Sequence, residues 1–113
     1  MKRSILTIGL LVALTLPVEA ASYNCGRYLK GVYGYVDRAL DLSLNWARRF
    51  PHTSARPGAV VVQRRKGRAL GGGPGGHVAK ILEIKQPCRA VVQDNRGRYE
   101  RDICKNLVAY VQP

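Results

Sequence analysis

Three cysteines and two histidines carry most of the reactive chemistry available to this 113-residue chain. A thiol acts as a nucleophile only as thiolate, so it needs a lowered pKa or a base beside it. Cys25 has a route to the first. Asn24 is a good N-cap, which puts Cys25 in the first turn of a helix, where unsatisfied N–H groups and the positive dipole end favour negative charge. His77 can supply the second, because it opens an apolar strand directly after Gly75-Gly76, where another part of the chain can come close. A base also needs a group that orients its other ring nitrogen. On the strand that follows, alternation puts Gln93 and Asn95 on one face and Asp94 on the other, and the amide face is taken as the one turned to His77. The backbone N–H of Gly26, at the start of the same helix, is placed to stabilise an oxyanion.

The other two cysteines pair by geometry. The stretches 88–94 and 98–104 flank a turn at Asn95-Arg96-Gly97, and a hairpin centred on Arg96 sets Gln93 opposite Tyr99 and Cys88 opposite Cys104. Residues directly opposed on antiparallel strands lie ~4.5–5.5 Å apart, within disulfide reach. Cys88–Cys104 is therefore the expected bridge, with Cys25 left free. Neither histidine shows the close paired spacing with cysteine that a structural zinc site has, so no metal is expected. His52 falls in a Pro/Thr/Ser stretch and reads as surface. The run GRALGGGPGGHVAK lacks the Gly-Lys-Ser/Thr of a phosphate-binding loop and leads into a strand.

These residues must be positioned by a small domain. Lys2 and Arg3 precede an apolar run, Ile5 to Leu16, and then Pro17-Val18-Glu19-Ala20, the plan of a cleaved secretory signal over residues 1–20. The run is shorter than the ~20 residues a bilayer span needs, so no membrane span is expected after cleavage. Residues 21–113 then form one domain, secreted or periplasmic, where disulfides persist. The spacing of Leu29, Val32, Tyr33 and Val36 predicts a helix from Cys25 to about Val36, and Asp41 to Phe50 a second, stopped by Pro51. Strands are expected at 58–62, 77–84, 88–94, 98–104 and 107–111, with 63–76 a basic glycine-rich loop. Helices first and a meandering antiparallel sheet afterwards give an α+β class. Trp46 and the tyrosines at 28, 33 and 35 read as core and groove wall.

The ordered segments NCGRYL, LNWARRF, RPGAVVV, GHVAKI and VVQDNRG resemble the cysteine, histidine-dependent amidohydrolase/peptidase (CHAP) domains and their NlpC-type, papain-like relatives, over Asn24 to about Asn106. The resemblance implies a papain-like fold with N-terminal helices on a small antiparallel sheet, and hydrolysis of amide bonds in peptidoglycan or its peptides without any cofactor. Cys25 matches the nucleophile, His77 the base, and Gln93 and Asn95 the two polar positions on the third strand. Gln93 stands where glutamate is commoner, and Arg27 where an aromatic residue is frequent.

Charge bears on partners rather than fold. The chain carries +12; residues 1–20 hold Lys2, Arg3 and Glu19, a net +1, so the remainder carries +11. Peptidoglycan or another anionic wall polymer is the expected partner, with nucleic acid well behind. The alternative is a catalytically inactive secreted basic protein that binds anionic envelope polymer or nucleic acid through its Arg/Lys segments.

Overall fold

In a computed structural model, the described residues are 24–69 and 73–113, so the expected signal segment lies outside them. Helix α1 spans Cys25–Tyr33. It starts as expected: the Asn24 side chain accepts the Arg27 N–H at 2.9 Å. It ends sooner than the apolar spacing predicts. Gly34 takes the left-handed conformation, φ 78°, and returns its N–H to the last turn, a glycine C-cap that stops the helix. Val36, expected on the apolar side of this helix, lies beyond it and is 90% exposed.

The second expected helix, 41–50, is largely replaced. Two 3₁₀ segments, Arg38–Asp41 and Ser43–Asn45, lead into a single short helix α2, Trp46–Arg49. Polar side chains here bond to nearby backbone and compete with the α-helix. Asp37 accepts from the Ala39 N–H, Asn45 Nδ2 donates to the Ala39 carbonyl, and buried Trp46 Nε1 donates to the Leu40 carbonyl at 2.9 Å. The indole thus pins the segment from below.

Six strands follow: β1 (His52–Thr53), β2 (Val60–Arg68), β3 (Pro74–Gln86), β4 (Arg89–Asp94), β5 (Gly97–Asp102) and β6 (Leu107–Val111). They form one antiparallel sheet in the order β1-β6-β2-β3-β4-β5. The meander holds from β2 to β5, but β6 crosses back to pair with β2. Most of the expected loop 63–76 is strand: Gln63 pairs with His77 and Arg64 with Gly76, and the pairing reaches Arg68 and Pro74 across a register shift. Glycine allows this close approach, since a Cβ on Gly75 would stand 2.6 Å from the Gly67 carbonyl oxygen.

Each sheet face buries its own cluster. Val60, Val62, Val78, Ala109 and Val111 pack against Leu29, Leu40, Trp46 and Phe50 of the helical layer. The alternate residues Ala59, Val61, Ala79, Ile81, Ala90, Val92 and Ile103 form a second core on the other face. The sheet curls around that second core. Gln63 of β2 donates to the carbonyls of Asp102 and Lys105, and Arg101 of β5 donates to Gln63 Oε1, although two strands separate β2 from β5.

Cys88 and Cys104 are joined and Cys25 is the free thiol. The register that suggested the pairing is off by one. Val92, not Gln93, faces Tyr99, and Asp94 faces Gly97 across a two-residue turn at Asn95-Arg96. The bridge closes just past the last ladder pair, Arg89–Asp102, where Ile103 N–H bonds the Cys88 carbonyl and the Cα atoms stand 5.2 Å apart.

Candidate active site

Cys25 opens α1 and is only 8% exposed. The helix can lie low because Gly26 has no side chain: a Cβ there would stand 2.7 Å from the Leu40 carbonyl oxygen and 2.8 Å from that of Asp41. The 3₁₀ layer comes down on β3 for the same reason, with a Cβ on Gly76 meeting the Leu44 side chain at 2.6 Å. These two contacts bring the start of α1 onto the start of the His77 strand. Cys25 Sγ then lies 3.6 Å from His77 Nδ1 and 3.3 Å from Ser43 Oγ.

The far side of the imidazole meets a carboxylate. His77 Nε2 is 3.0 Å from Asp94 Oδ2, with both side chains at most 1% exposed. Asp94 is held in turn by the Tyr99 hydroxyl, which donates to Oδ2 at 2.5 Å, and by the Arg96 N–H, which donates to Oδ1 at 2.8 Å. Tyr99 Oη also stands 3.4 Å from His77 Nε2.

The side chain that meets His77 Nε2 is therefore Asp94, and the expectation that Gln93 or Asn95 would stand there is corrected. Alternation separates the amides from Asp94 as expected, but His77 lies on the other side from the one assumed. Gln93 pairs with Lys80, whose ammonium lies over the Tyr33 ring, and the Gln93 amide donates to Tyr28 Oη of α1. Gln93 thus belongs to the helix-facing side. Ile81 pairs with Val92, and counting by twos from that pair puts His77 and Asp94 on the opposite side. Asn95 sits in the β4–β5 turn and on the wall of the cleft, with Cys25. Shared apolar alternation held the missed signal: Ala90-x-Val92-x-Asp94 and His77-x-Ala79-x-Ile81 both step along the second core. Nothing in the spacing marked Ser43, Arg65 or Tyr99, which arrive from three other elements.

Electrostatics follow from these contacts. Burial pushes the Cys25 thiol up, but the hydrogen bond and charge of His77 oppose this, helped by Ser43 and the Val78 N–H, and bring it from 9.0 down to about 6. Burial likewise opposes ionisation of Asp94, yet His77, the Tyr99 hydroxyl and the Arg96 N–H hold it well below the usual carboxylate range. Burial and the adjacent Asp94 carboxylate push Tyr99 up, so it stays a hydroxyl donor. One further contact competes with the thiol: Arg65 Nη2 lies 2.8 Å from His77 Nδ1.

Comparison with protein-family models, with characterised proteins and with solved structures finds no match to this chain.

The local arrangement can still be read chemically. A thiol, an imidazole and a buried carboxylate stand in line on α1, β3 and β4, at the edge of a cleft of about 420 Å³ that Arg65, Arg68 and Arg96 also line. First-turn N–H groups have no acceptor within the helix. The Asn24 side chain takes that of Arg27 and its carbonyl that of Tyr28, and the Gly26 N–H lies in the same first turn, one residue after Cys25. Among the described residues no three His, Cys, Asp or Glu side chains are grouped so as to hold a metal ion, and no helix is long and apolar enough to cross a membrane.

Proposed function

We propose that this chain is a secreted or periplasmic cysteine hydrolase of papain-like, CHAP or NlpC type that cleaves amide bonds in peptidoglycan or its peptides. One observation carries the reading: the only free thiol stands 3.6 Å from one imidazole nitrogen while the other is 3.0 Å from a buried carboxylate. That is the nucleophile, base and orienter order needed for acyl transfer. Cys25 passes its proton to His77 Nδ1 and attacks the carbonyl carbon. The Gly26 N–H receives the developing oxyanion. His77 returns the proton to the leaving amine, and water then hydrolyses the thioester with the same imidazole as base. Asp94 keeps Nε2–H in place and stabilises the imidazolium. The Cys88–Cys104 bridge suits an oxidising compartment, and a +12 chain suits an anionic wall substrate.

The test is digestion of purified peptidoglycan with the protein lacking residues 1–20 and with its Cys25→Ala variant, followed by identification of the fragments. New amine and carboxyl ends released by the first and not the second support the reading; identical digests with both sink it.

A second reading has its own observation. A groove of about 440 Å³ beside Gln63 is lined by Arg64, Arg65, Lys66, Arg89, Arg101 and Lys105, against only Glu100 and Asp102. A non-catalytic binder of anionic polymer would use it, and its affinity would fall steeply with salt. Retention of wall binding by Cys25→Ala, with no cleavage by the unmodified protein, favours this alternative.

A further inference from the structure

Arg65 reaches the same atom that Cys25 needs. Its Nη2 lies 2.8 Å from His77 Nδ1, and Cys25 Sγ lies 3.6 Å from that nitrogen. A guanidinium has donors only, so Nδ1 must offer it a lone pair. The ring proton is then on Nε2, aimed at Asp94. In this arrangement Nδ1 is occupied, and the thiol proton has no acceptor there. The contact and the thiolate–imidazolium pair exclude one another, because one nitrogen cannot both accept from Arg65 and carry a proton toward sulfur.

Arg65 also lines the cleft beside Cys25, together with Arg68 and Arg96. The one carboxylate on that wall, Asp41, is held by Lys30 at 2.7 Å, and no ion pair among the described residues holds Arg65. A carboxylate entering the cleft binds a guanidinium through two charge-assisted hydrogen bonds, a stronger interaction than one bond to a neutral ring.

Building on the assignment of Cys25 and His77 as nucleophile and base, we propose that Arg65 is the receptor for a substrate carboxylate, and that the carboxylate draws the guanidinium off Nδ1 and so arms Cys25. The Sγ–H proton then passes to Nδ1, leaving a thiolate and an imidazolium whose Nε2–H stays on Asp94. Acyl substrates with a carboxylate in the cleft would be processed, and neutral analogues would meet a ring already occupied. Arg65 is in this sense a specificity-determining residue.

Two alkylating reagents of similar size test this, iodoacetate and neutral iodoacetamide. Their rates with Cys25 at pH 7 are measured for the protein with its disulfide intact, unmodified and as Arg65→Gln, Arg48→Gln and Arg65→Gln/His77→Ala. Each iodoacetate/iodoacetamide ratio is normalised to that of glutathione. The unmodified protein should favour iodoacetate about tenfold more than Arg65→Gln does. The iodoacetamide rate should rise in Arg65→Gln, because Nδ1 is released. Arg48→Gln, which removes the same charge from an exposed site on α2 that lines neither cleft, should change the ratio less than about twofold. Parallel slowing of both reagents in Arg65→Gln, or an equal change of ratio in Arg48→Gln, overturns the role of Arg65. An iodoacetamide rate in Arg65→Gln/His77→Ala as high as in Arg65→Gln alone overturns instead the assignment of His77 as base.

Discussion

A carboxylate rather than an amide behind His77 changes what the imidazole can do. An amide can hold the ring in either sense, but a buried carboxylate selects the tautomer with Nε2 protonated and stabilises the imidazolium that follows. Asp94→Asn should therefore lower turnover by about 10²–10⁴-fold, whereas Gln93→Ala, on the helix-facing side, should stay within a few-fold. Steady-state rates on peptidoglycan fragments decide between them, and equal losses would put the orienter elsewhere. The thiol gives a second prediction. The thiolate fraction grows as pH rises through its pKa, so a thiol brought from 9.0 to about 6 by its pairing with His77 is mostly ionised at neutrality. His77→Ala removes the bond and charge that bring it down and leaves burial, which pushes it up. The pH midpoint of Cys25 alkylation by iodoacetate, which frees Nδ1, should move upward in that variant; a midpoint that stays put would mean that His77 does not set it.

At the scale of elements, two glycines of α1 behave oppositely. Gly26 faces the Leu40 and Asp41 carbonyls so closely that a methyl group cannot be fitted without moving backbone, while a Cβ on Gly31 meets nothing within 4 Å. Gly26→Ala should cost about 1–3 kcal/mol, the usual penalty of overpacking. Gly31→Ala should gain about 0.5–1 kcal/mol from helix propensity and reduced freedom of the unfolded chain. Thermal or urea unfolding of the two variants checks the contrast. Legibility in the sequence divided along the same lines. The strands around Val60–Val62, Ala79–Ile81 and Ala90–Val92 could be read because both sheet faces are buried there, which leaves short apolar runs rich in β-branched residues. The capped start of α1 could be read because Asn24 is a side-chain acceptor at the right place. The segment 37–50 could not, since its shape depends on the Trp46 indole finding the Leu40 carbonyl, a tertiary contact with no periodic trace. Nor could the continuation of β2 through Arg64–Arg68, which has no apolar pattern and is extended by pairing with a glycine-rich partner. Position 94 failed for a third reason. Its parity was right, but the face of the neighbouring strand depends on register, and a one-residue slip turns every side chain over.

For the whole molecule, the decisive question is what holds a curled sheet of this size closed. The second core is made of valine, alanine and isoleucine side chains with no large aromatic ring at its centre. The edge strand β5 has a neighbour only in β4, and the connection after it must cross back to β6. Cys88–Cys104 sits where that connection begins, and the same connection offers the Asp102 and Lys105 carbonyls to Gln63 of β2. The bridge therefore fixes the far end of the hairpin, while Asp94 occupies the turn end, next to His77. Stability and chemistry are separated along the hairpin's length. Its closed loop spans 16 positions, worth about 3 kcal/mol in chain entropy. For a domain of this size, about 1 kcal/mol corresponds to roughly 4–8 °C in Tm. The Cys88→Ser/Cys104→Ser variant should thus melt some 12–24 °C lower (three such increments). Its Cys25 should still alkylate at a rate close to that of the bridged protein at temperatures where both are folded. A variant that keeps its melting temperature would show that the Gln63 bonds and the second core suffice for closure. One that stays folded but loses Cys25 reactivity would show instead that the bridge positions Asp94 through the length of β4 and β5.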